Sequence, residues 1–263
     1  MSVPSILINI INMKQQKLNE LKKEISERDL RYKIKSIPQR PSFYEAIKKD
    51  GLSIIGEVKK ASPSKGIIKT EFEPIKIAKQ YEKVVDAISV LTEEAYFKGH
   101  AKYLQDISKQ VNIPLLRKDF IIDSIQIYEA KLLGASAVLL IAAILDEKKL
   151  QNFLAIAKSL AMDALVEVHN EKELEMVLKT DAVIIGINNR NLHTFEVNID
   201  TTIKLRKMIP DDMLVISESG IFTGDDIKRL CQVKIDGILV GESFMRSKSI
   251  PLKAEEFRNA YSN

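Results

Sequence analysis

Eight short runs of apolar and β-branched residues recur from residue 51 onward, and they constrain the fold more than any other feature. The runs are SIIGEV (53–58), DAISVL (86–91), IPLLR (113–117), SAVLLIA (136–142), ALVEV (164–168), AVIIGI (182–187), MLVIS (213–217) and DGILVG (236–241). Their starts lie 18 to 33 residues apart, which leaves room for one strand, one helix and two loops in each repeat. Strands buried on both faces of a parallel sheet are continuously apolar, as these runs are. The pattern therefore predicts eight βα units.

The segments between the runs are typical of helices. Capping-type residues begin PIKIAKQYEKV (74–84), DSIQIYEAKLLGA (123–135), DEKKLQNFLAIAKSLAM (146–162) and NEKELEMVLKT (170–180). Eight βα units close most simply into an α/β fold of the (β/α)8 type, a TIM barrel, although an open doubly wound sheet of eight strands is also compatible. The length of 263 residues also allows two small domains. Because no linker or low-complexity stretch divides the chain, we predict a single domain over 1–263.

The first 50 residues form a distinct segment. Apolar residues with a period near 3.6 predict one amphipathic helix over 3–30, through Ile6, Ile10, Met13, Leu21 and Ile25. Pro38 and Pro41 are poor continuations of a helix. We therefore expect an N-terminal helical extension over 1–50 and the barrel over 51–263.

Charge and cysteine content exclude several classes of function. The chain has 40 Lys and Arg against 36 Asp and Glu, interspersed along its length, which argues against a nucleic-acid partner but suits a small anionic substrate. The single cysteine, Cys231, excludes an intrachain disulfide and a Cys-based zinc cluster. The three histidines match no metal-ligand spacing, and no close carboxylate partner is implied for them. Without a signal peptide or an 18-residue apolar window, we expect a cytoplasmic protein with no membrane partner.

Polar side chains follow nearly every apolar run, where a barrel holds its active site. Lys118 lies beside Asp119, which by itself could be a surface pair. Glu167 lies inside ALVEV, and a carboxylate in a buried strand is costly unless it is paired. We therefore regard Glu167 as the strongest single candidate for a functional role.

Two glycine-containing loops follow the last two runs. SESG (217–220) and VGES (240–243) occupy the places where barrels commonly bind phosphate through backbone N–H groups. Each glycine could also serve only a tight turn. Since the two loops are adjacent, we favour a phosphate site.

The ordered set of motifs resembles the indole-3-glycerol phosphate synthase family. The motifs are EVKKASPSKG (57–66), SVLTEEAYFKG (89–99), LLRKDFIID (115–123), VLLIAAIL (138–145), LVEVHNEKEL (165–174), GINNRNL (186–192), SESGI (217–221) and VGESFMR (240–246). The resemblance implies a (β/α)8 fold and a cofactor-free, metal-free step of tryptophan biosynthesis. In that step 1-(2-carboxyphenylamino)-1-deoxyribulose 5-phosphate becomes indole-3-glycerol phosphate with loss of carbon dioxide and water.

The resemblance also implies roles for individual residues. The catalytic residues would be Glu57, Lys59, Lys118, Glu167, Asn188 and Ser219. Other contacts with the substrate would be made by Ser62, Ser89, Phe120, Leu139, Arg190 and Glu218. The phosphate would be bound by Lys59, Gly220, Gly241, Glu242 and Ser243. Lys118 would be the leading general acid and Glu167 its partner base or charge stabiliser. The partner is then a phosphorylated small molecule, and a monomer with transient contacts to other tryptophan-pathway enzymes is compatible with the resemblance.

Two rival functions follow from other interpretations of the same pattern. Phosphoribosylanthranilate isomerase is a phosphate-binding barrel with a Cys after strand one and an Asp after strand six, where this chain has Glu57 and Asn188. A catalytically silent binding protein or pathway scaffold is the second rival, and the complete charged set argues against it. The chain also lacks Trp, so any aromatic cover from the N-terminal extension is missing or replaced.

Overall fold

The eight apolar runs form one closed parallel barrel in the computed structural model, which describes residues 5–262. Each strand pairs in parallel with its neighbours along the chain, and the last strand pairs with the first. The strands are β1 (Ser53–Val58), β2 (Ala87–Leu91), β3 (Leu115–Lys118), β4 (Ala137–Ile141), β5 (Asp163–Val168), β6 (Ile184–Asn188), β7 (Leu214–Glu218) and β8 (Gly237–Val240). The predicted (β/α)8 barrel is confirmed, and the open doubly wound alternative is wrong.

Helices follow the strands in the alternating order of a βα barrel. They are α4 (Pro74–Tyr81), α5 (Ala101–Ser108), α6 (Ile125–Leu132), α7 (Glu147–Ser159), α8 (Glu171–Val177), α9 (Asp200–Arg206), α10 (Gly224–Cys231), α11 (Glu242–Arg246) and α12 (Ile250–Ser262). A short hairpin of Ala61–Ser62 and Gly66–Ile67 lies in the loop after β1. Within residues 5–262, no helix is both long and apolar enough to cross a membrane.

Within residues 5–50, the N-terminal extension contains three α-helices and one short 3-10 helix, Ile34–Ser36, and its long predicted helix is interrupted. Helix α1 (Ser5–Glu24) and helix α2 (Glu27–Lys33) are separate, so the prediction of one helix over 3–30 is wrong in its continuity. The reason is a capping box at Ser26, whose side chain accepts a bond from the Asp29 backbone N–H while the Asp29 side chain accepts one from the Ser26 backbone N–H. Residues 3 and 4 of that prediction lie outside the described part of the chain.

Helix α1 lies over the carboxyl ends of the strands. Lys14 forms a 2.6 Å ion pair with Asp119, which directly follows β3, and Lys22 forms another with Asp123. Leu7 and Ile10 join the cluster of buried apolar side chains in the barrel interior. The extension therefore forms one wall of the space above the barrel.

Helix α3 (Phe43–Ile47) closes the opposite end of the barrel. Phe43 and Ile47 are fully buried and belong to the same interior cluster as Leu214 and Leu239. The Asp163 carboxylate, at the first residue of β5, accepts bonds from the backbone N–H groups of Phe43 and Tyr44 at 2.8 and 2.9 Å. The barrel is thus covered at both ends by the segment that precedes it.

Candidate active site

The inward-facing ends of several strands bring carboxylates, basic side chains and one amide into one cavity. Because side chains alternate between faces along a strand, residues that pair across neighbouring strands share a face. Glu167 is paired with Ile141 and Gly186, and Asn188 is paired with Glu218. The cavity that they line occupies about 1180 Å³, including its opening to solvent.

Lys118 lines this cavity and lies between two carboxylates. Its Nζ is 2.6 Å from Glu167 Oε2 and 2.8 Å from Glu218 Oε2. Burial by itself lowers the pKa of Lys118, but the charges of Glu167, Glu218 and Glu57 outweigh it and raise that pKa above its usual range. The ammonium is therefore charged at neutral pH, and it does not pair with Asp119.

The pKa values of the two carboxylates that contact Lys118 are shifted in opposite directions. Burial raises the pKa of Glu167, but Lys118 and His169 overcome this and hold the pKa below its usual range. Burial raises the pKa of Glu218 to about 7, assisted by repulsion from Glu167 and opposed by Lys118. Lys118 therefore lies between one firmly ionised carboxylate and one that exchanges its proton near neutral pH, an arrangement typical of acid–base sites.

A second charged pair lies at the end of β1. The Lys59 ammonium forms an ion pair with Glu57, which is almost completely buried. Gly241, the residue after β8, approaches both: a Cβ added there would lie 2.5 Å from Glu57 Oε1 and 3.0 Å from Lys59 Nζ. Lys59 is thus adjacent to the glycine-containing loop, and its contact with a phosphate, which the resemblance implies, stays a prediction.

The loops after β7 and β8 line the cavity through Ser219, Gly220, Gly241, Glu242 and Ser243. Ser219 and Gly220 both have positive φ angles, 65° and 80°, so this turn uses a conformation that favours glycine at the second position. Gly241 is the N-cap of α11, which begins at Glu242. The first N–H groups of a helix have no partner within it and attract anions.

The segment after β6 places an amide and a guanidinium beside these loops. Asn188 Oδ1 accepts a bond from the Arg190 N–H at 3.0 Å, and the Arg190 guanidinium donates to the Phe195 carbonyl at 3.0 Å. Burial lowers the pKa of Arg190, although Glu242 and Glu57 act in the opposite direction. The neighbouring Asn189 instead joins β6 to β7, donating to Ser217 Oγ, and does not line the cavity.

The remaining wall of the cavity is apolar. Phe97 and Phe120 lie with ring centroids 6.1 Å apart. The other apolar lining residues include Ile6, Leu7 and Ile10 of α1, Leu139 and Ile141 of β4, and Leu192, Phe195 and Leu239. Aliphatic side chains of α1 therefore supply cover in a chain that has no Trp. Such a surface suits an aromatic ring next to a charged end.

The cavity collects almost every residue that the sequence singled out. It is lined by Glu57, Lys59, Ser62, Lys118, Phe120, Leu139, Glu167, Asn188, Arg190, Glu218, Ser219, Gly220, Gly241, Glu242 and Ser243. Ser89 is the exception. It lies on β2 in register with Glu57 of β1, but it is 0% exposed and does not line the cavity.

Sequence reasoning missed two side chains that support the charged groups. His169, for which no carboxylate partner was expected, lies 2.9 Å from Glu173 and 3.3 Å from Glu167, so that expectation is wrong. The sequence did contain a signal for this contact, because Glu173 follows His169 by four residues. The first turn of the helix after β5 brings the Glu173 carboxylate back to the histidine ring. Asp119 is the second, a buried partner of Lys14 and Arg117. Among residues 5–262, no three His, Cys, Asp or Glu side chains are grouped so as to hold a metal ion.

Comparison with protein families gives a match over nearly the whole chain. The family model described as indole-3-glycerol phosphate synthase matches residues 7–257. The indole-3-glycerol phosphate synthase of Alkaliphilus metalliredigens is 50% identical, with 97% of this chain and 98% of that protein covered. That of Acetivibrio thermocellus is 51% identical, with 92% and 96% covered.

Solved structures of low sequence identity share the barrel. The 3-hexulose-6-phosphate synthase from Salmonella typhimurium is 13% identical, with a TM-score of 0.66 over 80% of this chain and 99% of that one. The N-(5'-phosphoribosyl)anthranilate isomerase from Pyrococcus furiosus is 14% identical, with a TM-score of 0.57 over 81% and 99%. At these identities the likeness concerns the fold alone.

Proposed function

Because this chain belongs to the indole-3-glycerol phosphate synthase family, we propose that its cavity performs the family's reaction with Lys118 as the general acid. The enzyme is a carboxy-lyase of tryptophan biosynthesis. Its reaction joins a ring carbon of the anthranilate moiety to the ketone of a deoxyribulose phosphate, then releases carbon dioxide and water. The ketone oxygen must gain a proton, and the ring nitrogen must later lose one.

The observation that carries the proposal is the position of the Lys118 ammonium between the carboxylates of Glu167 and Glu218. Lys118 donates its proton to the ketone oxygen as the new carbon–carbon bond forms. Glu167, which is held ionised, stabilises the positive charge that develops on the ring and acts as the partner base. Glu57 and Lys59 assist ring closure and the later loss of the hydroxyl group as water.

The substrate is oriented by its two anionic ends. We assign the phosphate to the backbone N–H groups of Gly220, Gly241, Glu242 and Ser243, with the Lys59 ammonium beside them. We assign the carboxylate and hydroxyl groups to Asn188, Arg190 and Ser219, with Ser62 and Glu218 as further contacts. Phe120 and Leu139 enclose the ring.

The wider setting of the enzyme completes the proposal. We propose that residues 1–263 act as one domain, since side chains of the extension share the interior cluster of the barrel. The single cysteine suits a reducing compartment, so we place the enzyme in the cytoplasm. A monomer, with transient contacts to other enzymes of the pathway, is sufficient because all the proposed site residues come from one chain.

The test is formation of indole-3-glycerol phosphate, followed by its fluorescence, from the carboxyphenylamino-deoxyribulose phosphate in the presence of EDTA. Lys118→Ala should lower kcat on the order of 100-fold or more, the usual scale for losing a general acid, while KM stays within about tenfold. Lys65→Ala is the matched control, because Lys65 is an exposed lysine that does not line the cavity. Near wild-type turnover of Lys118→Ala would remove Lys118 from this role, and no turnover by the folded wild type would favour the silent binding protein.

A further inference from the structure

The imidazole of His169 lies between two carboxylates just outside the cavity. Its Nδ1 is 2.9 Å from Glu173 Oε2, and its Nε2 is 3.3 Å from Glu167 Oε1. The ring is only 9% exposed, so water has little access to either nitrogen. Both nitrogens therefore face groups that accept protons and cannot donate them when ionised.

This arrangement favours the doubly protonated ring over the neutral one. A neutral imidazole carries one N–H, so its other nitrogen would present a lone pair to a carboxylate oxygen. An imidazolium donates to Glu173 and places its second N–H 3.3 Å from Glu167 Oε1, an ion-pair contact without the geometry of a hydrogen bond. Burial lowers the pKa of His169, but its interactions with Glu167 and Glu173 outweigh burial and raise the pKa to about 9.

Glu173 is fixed independently of the histidine ring. It lies in the first turn of α8, where Asn170 is the N-cap residue. Asn170 Nδ2 donates to Glu173 Oε1 at 2.6 Å, and the backbone N–H of His169 donates to Glu173 Oε2 at 2.8 Å. The carboxylate of Glu173 is thus a rigid anchor for the ring.

Glu167 is held from both sides as a result. One of its oxygens faces His169, and the other accepts from the Lys118 ammonium at 2.6 Å. We propose that His169, protonated and anchored by Glu173, is a positioning residue that keeps Glu167 ionised and aimed at Lys118. This inference rests on the proposed function in assigning catalysis to Glu167 and Lys118; His169 itself does not line the cavity.

The charged groups that surround His169 come from several elements of the barrel. Glu167 faces it from β5 and Glu173 from α8, and beyond Glu167 lie Lys118 of β3 and Glu218 of β7. The short helical turn Ala142–Ile144, which packs against both β5 and α8, contributes only apolar side chains. Glu167 is therefore the charged group that lies between His169 and Lys118.

The first experiment observes the ring directly by ¹⁵N NMR of the three histidines in the full-length wild type. His100→Gln and His193→Gln assign the other two signals. At about pH 8, one unit below the value of about 9, we expect both nitrogens of His169 to carry protons, while an ordinary histidine with a pKa near 6.5 is neutral. A His169 signal that titrates near 6.5 overturns the proposal, whatever the enzyme's activity.

The second experiment measures pH–rate profiles of His169→Gln. Without the cation, the pKa of Glu167 rises, so the acidic limb of kcat should move to higher pH. We expect kcat to fall by about tenfold, less than for loss of the acid itself, with little change in KM. A purely structural role would lower thermal stability and leave the acidic limb in place, which would overturn the proposal.

His100→Gln is the matched control for these profiles, because His100 is an exposed histidine 3.9 Å from the carboxylate of Glu94. Its pH profile should equal that of the wild type. Glu173→Gln provides a second variant in case His169→Gln does not fold, and it should lower the pKa of His169 and move the acidic limb in the same direction. A wild type with protonated His169 but no turnover would refute the proposed function while leaving the state of the ring established.

Discussion

At the scale of the residue, Gly241 shows how closely the backbone approaches the charged groups. A side chain there would collide with Glu57 and Lys59. We expect Gly241→Val to displace Lys59 from the phosphate and raise KM by about 10- to 150-fold, which corresponds to about 1.5–3 kcal/mol for a charge-assisted hydrogen bond. Steady-state kinetics test this, with Gly224→Ala as the control because Gly224 lies on α10 outside the cavity. An unchanged KM would place the phosphate elsewhere.

Glu218 gives a pH-dependent prediction at the same scale. Burial raises its pKa from an ordinary 4.5 to about 7, so the folded protein binds this proton more tightly than the unfolded chain. The associated stability is fully present below about pH 4.5 and is lost as the pH rises through about 7. Glu218→Gln removes this titration. Thermal melts should therefore show a larger gain in Tm over wild type at about pH 8 than at about pH 5, and an equal difference at both would contradict the assignment.

Single residues also show the limits of prediction from the sequence. Charged side chains at strand ends could be assigned to the cavity because parallel strands share one carboxyl edge. The partners of these side chains were missed, because contacts such as His169 with Glu173 are formed by the helix that follows the strand and not by the strand itself. The roles of adjacent polar residues were also not evident from the sequence. Asn188 lines the cavity, whereas Asn189 joins β6 to β7. Which of the two side chains faces the cavity is fixed by the register of β6 in the barrel. The sequence alone does not fix this register, and a shift of one residue would exchange the two faces.

At the scale of the element, the apolar runs predicted the strands to within two residues at either end. Continuous burial on both faces makes this signal strong. The extension was predicted less well, because its apolar period continues through the break at Ser26. Local capping chemistry interrupts the helix there without any change in the periodic pattern.

Helix α1 should depend on one buried ion pair. Lys14 and Asp119 are 12% and 0% exposed, whereas Lys22 and Asp123 are 46% and 27% exposed. We expect Lys14→Met to lower the free energy of unfolding by about 1–3 kcal/mol, less than for a buried charge left without any partner, because Asp119 keeps its contacts with Arg117 and Thr92. KM should rise as well, because α1 carries one wall of the cavity.

Denaturant unfolding and steady-state kinetics measure both effects of Lys14→Met. Lys22→Met is the matched control, since an exposed pair on the same helix contributes about 0.2–1 kcal/mol. Equal effects of the two variants would show that the buried pair does not hold α1 over the barrel.

At the scale of the whole molecule, the interior of the barrel is completed by residues that precede it. The sequence pattern places the start of the barrel at residue 51, where the βα units begin. Phe43 and Ile47 lie before that point, yet both are fully buried in the interior cluster. Losing a buried Phe and a buried Ile costs about 5–10 kcal/mol together, which is comparable with the whole stability of a domain, about 5–15 kcal/mol.

Two truncations separate the contributions of α1 and α3. A chain of residues 51–263 lacks α3 and should fail to give a cooperative thermal transition or a near-UV circular dichroism spectrum. A chain of residues 26–263 keeps α3 with its bonds to Asp163; it should fold cooperatively, with a raised KM because Ile6, Leu7 and Ile10 are absent from the cavity wall. Cooperative folding of residues 51–263 would show that the barrel closes without the covering helix, and that its core is complete within the eight βα units alone.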